Sequence, residues 1–402
     1  MTKKKLKVGL ETDFLNGPMT GVGNYCFHLL KAMLEQNNDV EFLAYSIFVW
    51  RSCGLLDLVE IAKAQLKQSG SNNEISSGRK ARIAVRSLLA QNEMVRVAYR
   101  RLSASRFRRS NAVKSLNLFH AFRFVPPWDI EIPVLPVVYD LSFVRYPGAH
   151  PTSRLKELSR LGDVLHKARF IQTISHFSKR EISEVYGALP ERIVVAPPAA
   201  RDIFRPLGDG PTRQDIVGLD LDVRQYLLAV GTLEPRKNLK TLIAAYSRLT
   251  PALRKSFPLV IVGHKGWGDL QLPPASGMMI QDGSLRFLGS VPDAQLRSLY
   301  EGAVALLFPS IYEGFGMPAV EALACGTQVA HSSGTSMDEI TNEDHLRAPA
   351  VDVEAWTKII WALLDDVTAA TKGRDQRRMH SQKFSWAQSA QTVLRIYDQL
   401  NE

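Results

Sequence analysis

Apolar positions fall into short, nearly continuous runs separated by stretches of helical periodicity. LKVGLETDF (6–14) is followed by a loop, LNGPMTGVGN (15–24), and a helical stretch, YCFHLLKAML (25–34). NLFHAF (117–122), PVLPVVYDL (133–141), ARFIQTIS (168–175) and RIVVAPP (192–198) are apolar on both faces, which predicts strands of a buried parallel sheet. RDIFRPLGDGPTRQD (201–215) has the Pro, Gly and polar content of a linker. Beyond it the pattern restarts with strands at YLLAVGT (226–232), FPLVIVG (257–263), SLRFLGSV (284–291), AVALLFPS (303–310) and TQVAHS (327–332). Helices are predicted at NLKTLIAAYSRL (238–249), DAQLRSLYEG (293–302), MPAVEALAC (317–325), DVEAWTKIIWALLDD (352–366) and SWAQSAQTVLRIYDQL (385–400). The alternation predicts two α/β halves, each doubly wound, joined near residue 210. Ligands of such sheets bind beyond the carboxyl ends of the strands, so the cleft between the halves is the expected site.

Length agrees, since 402 residues exceed what one core normally organises. The composition, 45% hydrophobic and 22% charged, is that of a soluble globular protein. Cys26, Cys53 and Cys325 lack pairing or metal-ligand spacing, which fits a reducing compartment. MTKKKLKVGLETDF has no apolar segment behind its basic residues and does not read as a signal peptide. No apolar run approaches the roughly 20 residues of a membrane span, so a cytoplasmic or peripheral protein is expected. The net charge of +10 is concentrated: residues 79–114 hold eleven Lys or Arg against one acid, Glu93. If residues 79–102 form a helix, Arg79, Arg82, Arg86, Arg96 and Arg100 share one side, opposite Leu88, Val95, Tyr99 and Leu102. That reads as a surface for anionic lipid headgroups or as a solvated face. A nucleic-acid role is disfavoured, because no stacking aromatics interleave with the cluster.

The residues with chemistry lie just after predicted strands. YLLAVGT leads to Glu234-Pro235-Arg236-Lys237-Asn238, which puts two cations at a helix entrance, where the macrodipole disfavours them unless an anion binds there. Gly17, Gly21 and Gly23 would let backbone approach a phosphate or sugar, but they do not spell G-x-G-x-x-G, which argues against a nicotinamide cofactor. In SIYEGFGMPAVEALACGT (310–327), Pro318 suits a first helical position and Gly326 a C-terminal cap. Glu313 precedes the turn and Glu321 lies one turn into the helix. The N–H groups of Gly314, Phe315, Gly316 and Met317 could bind hydroxyls or phosphate, and the carboxylates could accept from vicinal hydroxyls. Asp220-Leu221-Asp222 mimics a metal motif but lies in polar linker sequence, and His264-Lys265 follows a strand. No His/Cys/Asp cluster has metal-ligand spacing, so no metal and no cofactor is expected.

EGFGMPAVE resembles the E-x7-E signature of retaining glycosyltransferases of family four, which have the two-Rossmann GT-B fold. VGTLEPRKNLKTLIAAY, LVIVGHKGW, RFLGSVPDAQLRSLYEGA and SWAQSAQTVLRIY are similar to that family's C-terminal half. TGVGNY, LFHAFRFVPP, VVYDLSFVRYP and TISHFSKREI resemble its N-terminal half. The likeness is specific over residues 226–340 and weak over residues 45–115. It implies transfer of a sugar from a nucleotide diphosphate to a hydroxyl with the anomeric configuration kept. By position, Arg236 and Lys237 would stabilise the departing diphosphate, Glu313 would bind the sugar and Glu321 the ribose. Gly21 and Gly23 would close over the diphosphate, and Asp140 would orient the acceptor. Many relatives have His-Asp where this chain has Tyr139-Asp140, which leaves the histidine's sugar contact either vacant or carried by Tyr139 or His120. Thr232 stands where relatives often carry an arginine.

The expected architecture is α/β, with two Rossmann-like domains facing a cleft. Residues 1–205 would form the acceptor domain and 206–383 the nucleotide-sugar domain, with a helix over 384–402 crossing back to the N-terminal domain. The expected activity is hexosyl transfer, with mannose from GDP-mannose favoured on resemblance to bacterial surface-polysaccharide mannosyltransferases. The acceptor would be a glycan or polyprenyl-linked glycan at the inner face of the cytoplasmic membrane, reached through residues 79–114. A UDP-sugar donor, a nucleotide-sugar binding module without turnover, and a dehydrogenase are the alternatives.

Overall fold

The structure is a computed structural model and describes residues 5–12, 21–36, 39–46, 49–58, 60, 105, 107, 110–126 and 130–401. Gly17 and most of the basic stretch 79–114, including Arg82, Arg86, Arg96 and Arg100, lie outside the described residues.

Thirteen strands form two sheets among the described residues. The first contains β1 (Leu6–Glu11), β2 (Val40–Ser46), β3 (Val49–Ser52), β4 (Leu118–Ala121), β5 (Val134–Val138), β6 (Ile171–Thr173) and β7 (Ile193–Val195), ordered β3-β2-β1-β4-β5-β6-β7. All its pairs are parallel except β2 with β3. The second contains β8 (Leu227–Val230), β9 (Leu259–Val262), β10 (Leu285–Gly289), β11 (Leu306–Phe308), β12 (Val329–Ser332) and β13 (Arg347–Ala348), ordered β10-β9-β8-β11-β12-β13 and wholly parallel. The central strands β4, β6, β9, β11 and β12 are buried at every position, as helices on both faces require. This is the expected α/β architecture of two Rossmann-like halves facing a cleft.

Two expectations need correction. The stretch 201–215 is not all linker, because Asp209–Ile216 is a helix that buries Thr212 and Ile216. Buried Glu301 fixes its start, accepting from the N–H groups of Leu207 and Gly208 and from Thr212 Oγ1 at 2.7–2.8 Å. The first helix is Gly21–Gln36, so Gly21 and Gly23 belong to its opening turn rather than to the loop before it.

The last helix, Trp386–Asn401, lies on the first sheet although it follows the second in sequence. Tyr397 on this helix reaches His120 of β4, Ser389 Oγ donates to Pro197 O at 2.6 Å, and Trp386 stacks on His28. Its buried stripe, Ser389, Ala390, Val393, Leu394, Ile396 and Tyr397, repeats at helical spacing.

Candidate active site

β8 and β11 are neighbours in the second sheet, and the loops after them bring distant residues together. After β8 comes a 3₁₀ turn, Pro235–Lys237, capped by Asn238 in the left-handed conformation (φ 55°). The Asn238 amide ties this turn to the next loops through Pro309 O (3.0 Å) and Ala350 O (2.6 Å). Lys237 then lies across the strand end, its Nζ 5.1 Å from the centre of the Phe308 ring.

Lys237 Nζ donates to Glu313 Oε1 at 2.5 Å, and Arg236 Nη1 donates to Glu313 Oε2 at 3.3 Å and to Tyr312 O at 2.6 Å. Arg236 Nη2 donates to Glu234 Oε1 at 2.6 Å. Glu234 is 2% exposed and Glu313 7%, so this is a buried ion cluster. Burial by itself would push the Glu313 carboxyl up, but Lys237 and then Arg236 outweigh it and hold the group down at about 2. With both oxygens engaged and so low a proton affinity, Glu313 is a poor general base or nucleophile. It suits holding donors in place. Lys237 has two ammonium hydrogens beyond the one given to Glu313, and these can meet an anion.

The turn after Glu313 is fastened by its carbonyls. Ser336 Oγ donates to Glu313 O (2.9 Å) and to Phe315 O (2.7 Å), and Ser178 Oγ from the other half donates to Gly314 O (3.2 Å). Among the described residues, none of the N–H groups of Gly314, Phe315, Gly316 or Met317 is paired with a backbone carbonyl. Buried donors without partners are rare unless a ligand supplies the acceptor. Two glycines make the turn possible. A side chain on Gly314 would come within 2.7 Å of Asp140 Cβ, and Gly316 has φ 118° with the Met337 sulfur packed against it. The helix Met317–Ala324 begins at once, with Pro318 in its first turn and Gly326 (φ 85°) just past its end.

Glu321 lies in that helix, 5% exposed. It accepts from Arg201 Nε and Nη2, both at 3.3 Å, and from the Tyr300 hydroxyl at 3.2 Å. Arg201 also grips Asp293 through two bonds of 2.6 and 3.0 Å. Burial pushes the Glu321 carboxyl up to about 7 against the pull of Arg201. The two glutamates therefore differ in partners and in proton affinity.

The first sheet contributes Asp140, at the end of β5. Its Oδ1 accepts from Ser142 N (3.0 Å) and Ser142 Oγ (2.7 Å), so it caps the next segment. It also faces Arg236 across the cleft, and its charge helps to keep that guanidinium protonated despite burial. Tyr312 bridges the halves as well, accepting from Leu141 N at 3.0 Å.

Tyr139 and His120 do not reach this cleft by their polar atoms, which corrects their expected sugar contact. The Tyr139 hydroxyl donates to Phe122 O at 2.8 Å and lies 3.3 Å from Cys26 Sγ, inside the first half's core. His120 is fully buried, with Nδ1 2.6 Å from the Tyr397 hydroxyl and its ring stacked on Phe122. Burial pushes its pKa down to about 3, so it stays neutral. On a strand with every position buried, alternation sends the His120 side chain into a packed layer. Gly21 is exposed at the head of the first helix and Gly23 is buried in it. Asp220, left-handed at φ 53°, and Asp222, paired with Arg213, lie in the turn before β8. Among the described residues there is no group of three or more potential metal ligands, and no helix is long and apolar enough to cross a membrane.

Sequence comparison matches residues 218–382 to the family described as glycosyl transferases group 1. Over its length the chain is similar to O-antigen chain mannosyltransferase B of Escherichia coli, 28% identical across 98% of this chain and 99% of the relative. It is 26% identical to the serotype-specific mannosyltransferase WbdA of Escherichia coli over 68% of this chain, which spans 34% of that larger protein. Among solved structures, Anabaena Alr3699/HepE in complex with UDP and glucose superposes with a TM-score of 0.67 at 14% identity, covering 98% of this chain and 100% of that one.

Proposed function

We propose that this chain, a glycosyltransferase of the GT-B fold similar to surface-polysaccharide mannosyltransferases, transfers mannose from GDP-mannose to a hydroxyl of a glycan or lipid-linked glycan, with retention of configuration. The observation that carries the reading is the Arg236–Glu313–Lys237 cluster at the ends of β8 and β11, beside four turn amides without backbone partners. Lys237 and Arg236 stabilise the diphosphate as its bond to the anomeric carbon breaks, which is electrostatic stabilisation of a leaving group. Glu313, oriented by both cations, and the amides of Gly314–Met317 hold the sugar hydroxyls. Glu321 takes the ribose by exchanging part of its bonding to Arg201. The acceptor oxygen attacks from the face the diphosphate leaves, passing its proton to the departing phosphate oxygen, and Asp140 orients it. Gly21, exposed at the head of the first helix, faces the approach to the diphosphate, and Gly23 is buried in the same turn.

The two mannosyltransferase relatives favour mannose, whereas the HepE complex, with UDP and glucose, favours a UDP-sugar. Thermal melts against GDP-mannose, UDP-glucose and their nucleotides separate the two, since a ligand at one hundred times its Kd adds roughly 2.7 kcal/mol of apparent stability. A shift with GDP-mannose followed by transfer to acceptor supports the proposal. A shift with UDP-glucose alone supports the second donor, and binding without transfer supports a binding module. The cation pair fills the charge-neutralising role of a divalent ion, so the reaction proceeds without metal or other cofactor. The basic stretch 79–114 brings the enzyme to the anionic inner face of the cytoplasmic membrane, where a polyprenyl-linked acceptor resides.

A further inference from the structure

Ser336–Glu339 is one 3₁₀ turn between β12 and β13, and its two ends hold two different parts of the molecule. At its start, Ser336 Oγ donates to the carbonyls of Glu313 and Phe315, fixing the turn that carries the candidate site. At its end, the Glu339 carboxylate accepts from the backbone of the helix His176–Tyr186, which belongs to the first half. Oε2 receives His176 N at 2.8 Å and Oε1 receives Phe177 N. Arg180 of the same helix stands 3.8 Å away.

A helix starts with N–H groups that have no partner within it. Here those from His176 to Lys179 are accounted for. Ser175, the N-cap, accepts Ser178 N through its side chain (2.9 Å) and Lys179 N through its carbonyl (3.0 Å). The remaining two, His176 N and Phe177 N, go to Glu339. The first half leaves these two donors open, and a carboxylate from the second half completes the cap, with the helix dipole adding to the attraction. The same helix returns to the site turn, because the Ser178 hydroxyl lies between two carbonyl acceptors, Tyr139 O (3.0 Å) and Gly314 O (3.2 Å), and shares its one hydrogen between them. The contacts form a closed ring: Glu313–Phe315 to Ser336, Glu339 to the helix start, and Ser178 back to Gly314.

We propose that Glu339 is a positioning residue, an interdomain latch that forms when the halves close and, through Ser336, sets the Glu313–Met317 turn for transfer. Its bonds go to the start of the helix and to Arg180, outside the Arg236–Glu313–Lys237 cluster. Its loss should open the cleft and slow transfer while largely sparing GDP binding, because Arg236, Lys237 and Glu321 all lie in the second half and only the first helix approaches the diphosphate from the other. The effect on transfer rests on the proposed function; the effect on closure does not.

The test compares wild type, Glu339→Ala and Glu339→Gln by small-angle scattering with and without GDP, by GDP affinity, and by steady-state transfer from GDP-mannose. Glu339→Ala should increase the radius of gyration and lower kcat by about tenfold or more, with the Kd for GDP unchanged within about twofold. Glu339→Gln keeps one acceptor oxygen and should fall between them, and it serves as the reading if the alanine variant does not fold. Wild-type scattering and kcat in both variants would overturn the latch. So would a loss of GDP affinity that parallels the loss of kcat at unchanged scattering, which would mean local collapse of the site. If wild type transfers no sugar from any donor, the enzyme reading fails, and the scattering comparison still decides the latch.

Discussion

Removing one cation from the buried cluster tests stability and catalysis separately. Glu313 is 7% exposed and bonds Lys237 at 2.5 Å and Arg236 at 3.3 Å. Burial would raise its carboxyl, yet the two cations hold it at about 2 against an ordinary value of 4.5. A gap of that size corresponds to about 3 kcal/mol. Because the folded value is depressed, this stabilisation is fully present above pH 4.5 and is lost as pH falls toward 2. Lys237→Ala takes away the nearer cation and leaves Arg236, so it should cost about 2 kcal/mol at pH 7 in urea unfolding. It should also flatten the acid limb of the stability profile. The double variant Lys237→Ala/Glu313→Gln buries no uncompensated charge there and should recover most of that stability. Activity should not follow, since the leaving group still lacks its cation; transfer should remain down by roughly 10²–10³. A Lys237→Ala protein as stable as wild type would refute the electrostatic account of the cluster. Activity restored in the double variant would refute the leaving-group role.

Other consequences follow from the same geometry. Tyr139→Phe should cost about 1 kcal/mol, through the lost bond to Phe122 O, with donor KM unchanged; a large rise in KM would return Tyr139 to the sugar site. Glu321, raised to about 7, keeps its proton in the folded state over pH 4.5–7, so its contribution lowers stability as pH rises through that window. Glu321→Gln should therefore gain on wild type by up to about 3 kcal/mol between pH 5 and pH 8, and a pH-independent difference would contradict this. EDTA should leave transfer intact, and an absolute need for added divalent ion would count against the cation pair. Neutralising Arg82, Arg86, Arg96 and Arg100 should free the protein from anionic vesicles in sedimentation, whereas unchanged co-sedimentation would reduce that stretch to a solvated face.

The buried strands were the most legible part of the chain, because a parallel sheet covered on both sides demands continuous apolar runs. β4 through β12 each fall within a stretch the hydrophobic pattern marks. β2, β3 and the two-residue β13 were not marked. VEFLAYS mixes polar and apolar positions, and β3 is a four-residue antiparallel edge strand. Within the site, EPRK and EGFGMP could be read as chemistry because strand ends and glycine turns have local signatures. Their pairing could not, since Lys237 and Glu313 are 76 positions apart and no local pattern encodes that contact. Tyr139 and His120 misled because residue type says nothing of which face of a strand points to solvent. Ser336 and Glu339 carried no signal beyond a polar loop. Their meaning comes from the helix start at His176, which the fold alone brings to them.

Transfer with retention from a nucleotide diphosphate sugar is read out by the anomeric configuration of the product. Wild-type protein would be incubated with GDP-α-mannose and a hexose-terminated acceptor on a hydrophobic aglycone, and the new linkage read by NMR from its one-bond carbon–proton coupling. An α-linked mannoside, lost in Lys237→Ala, is the expected product. A β-linked product, or transfer undiminished by that substitution, would contradict it.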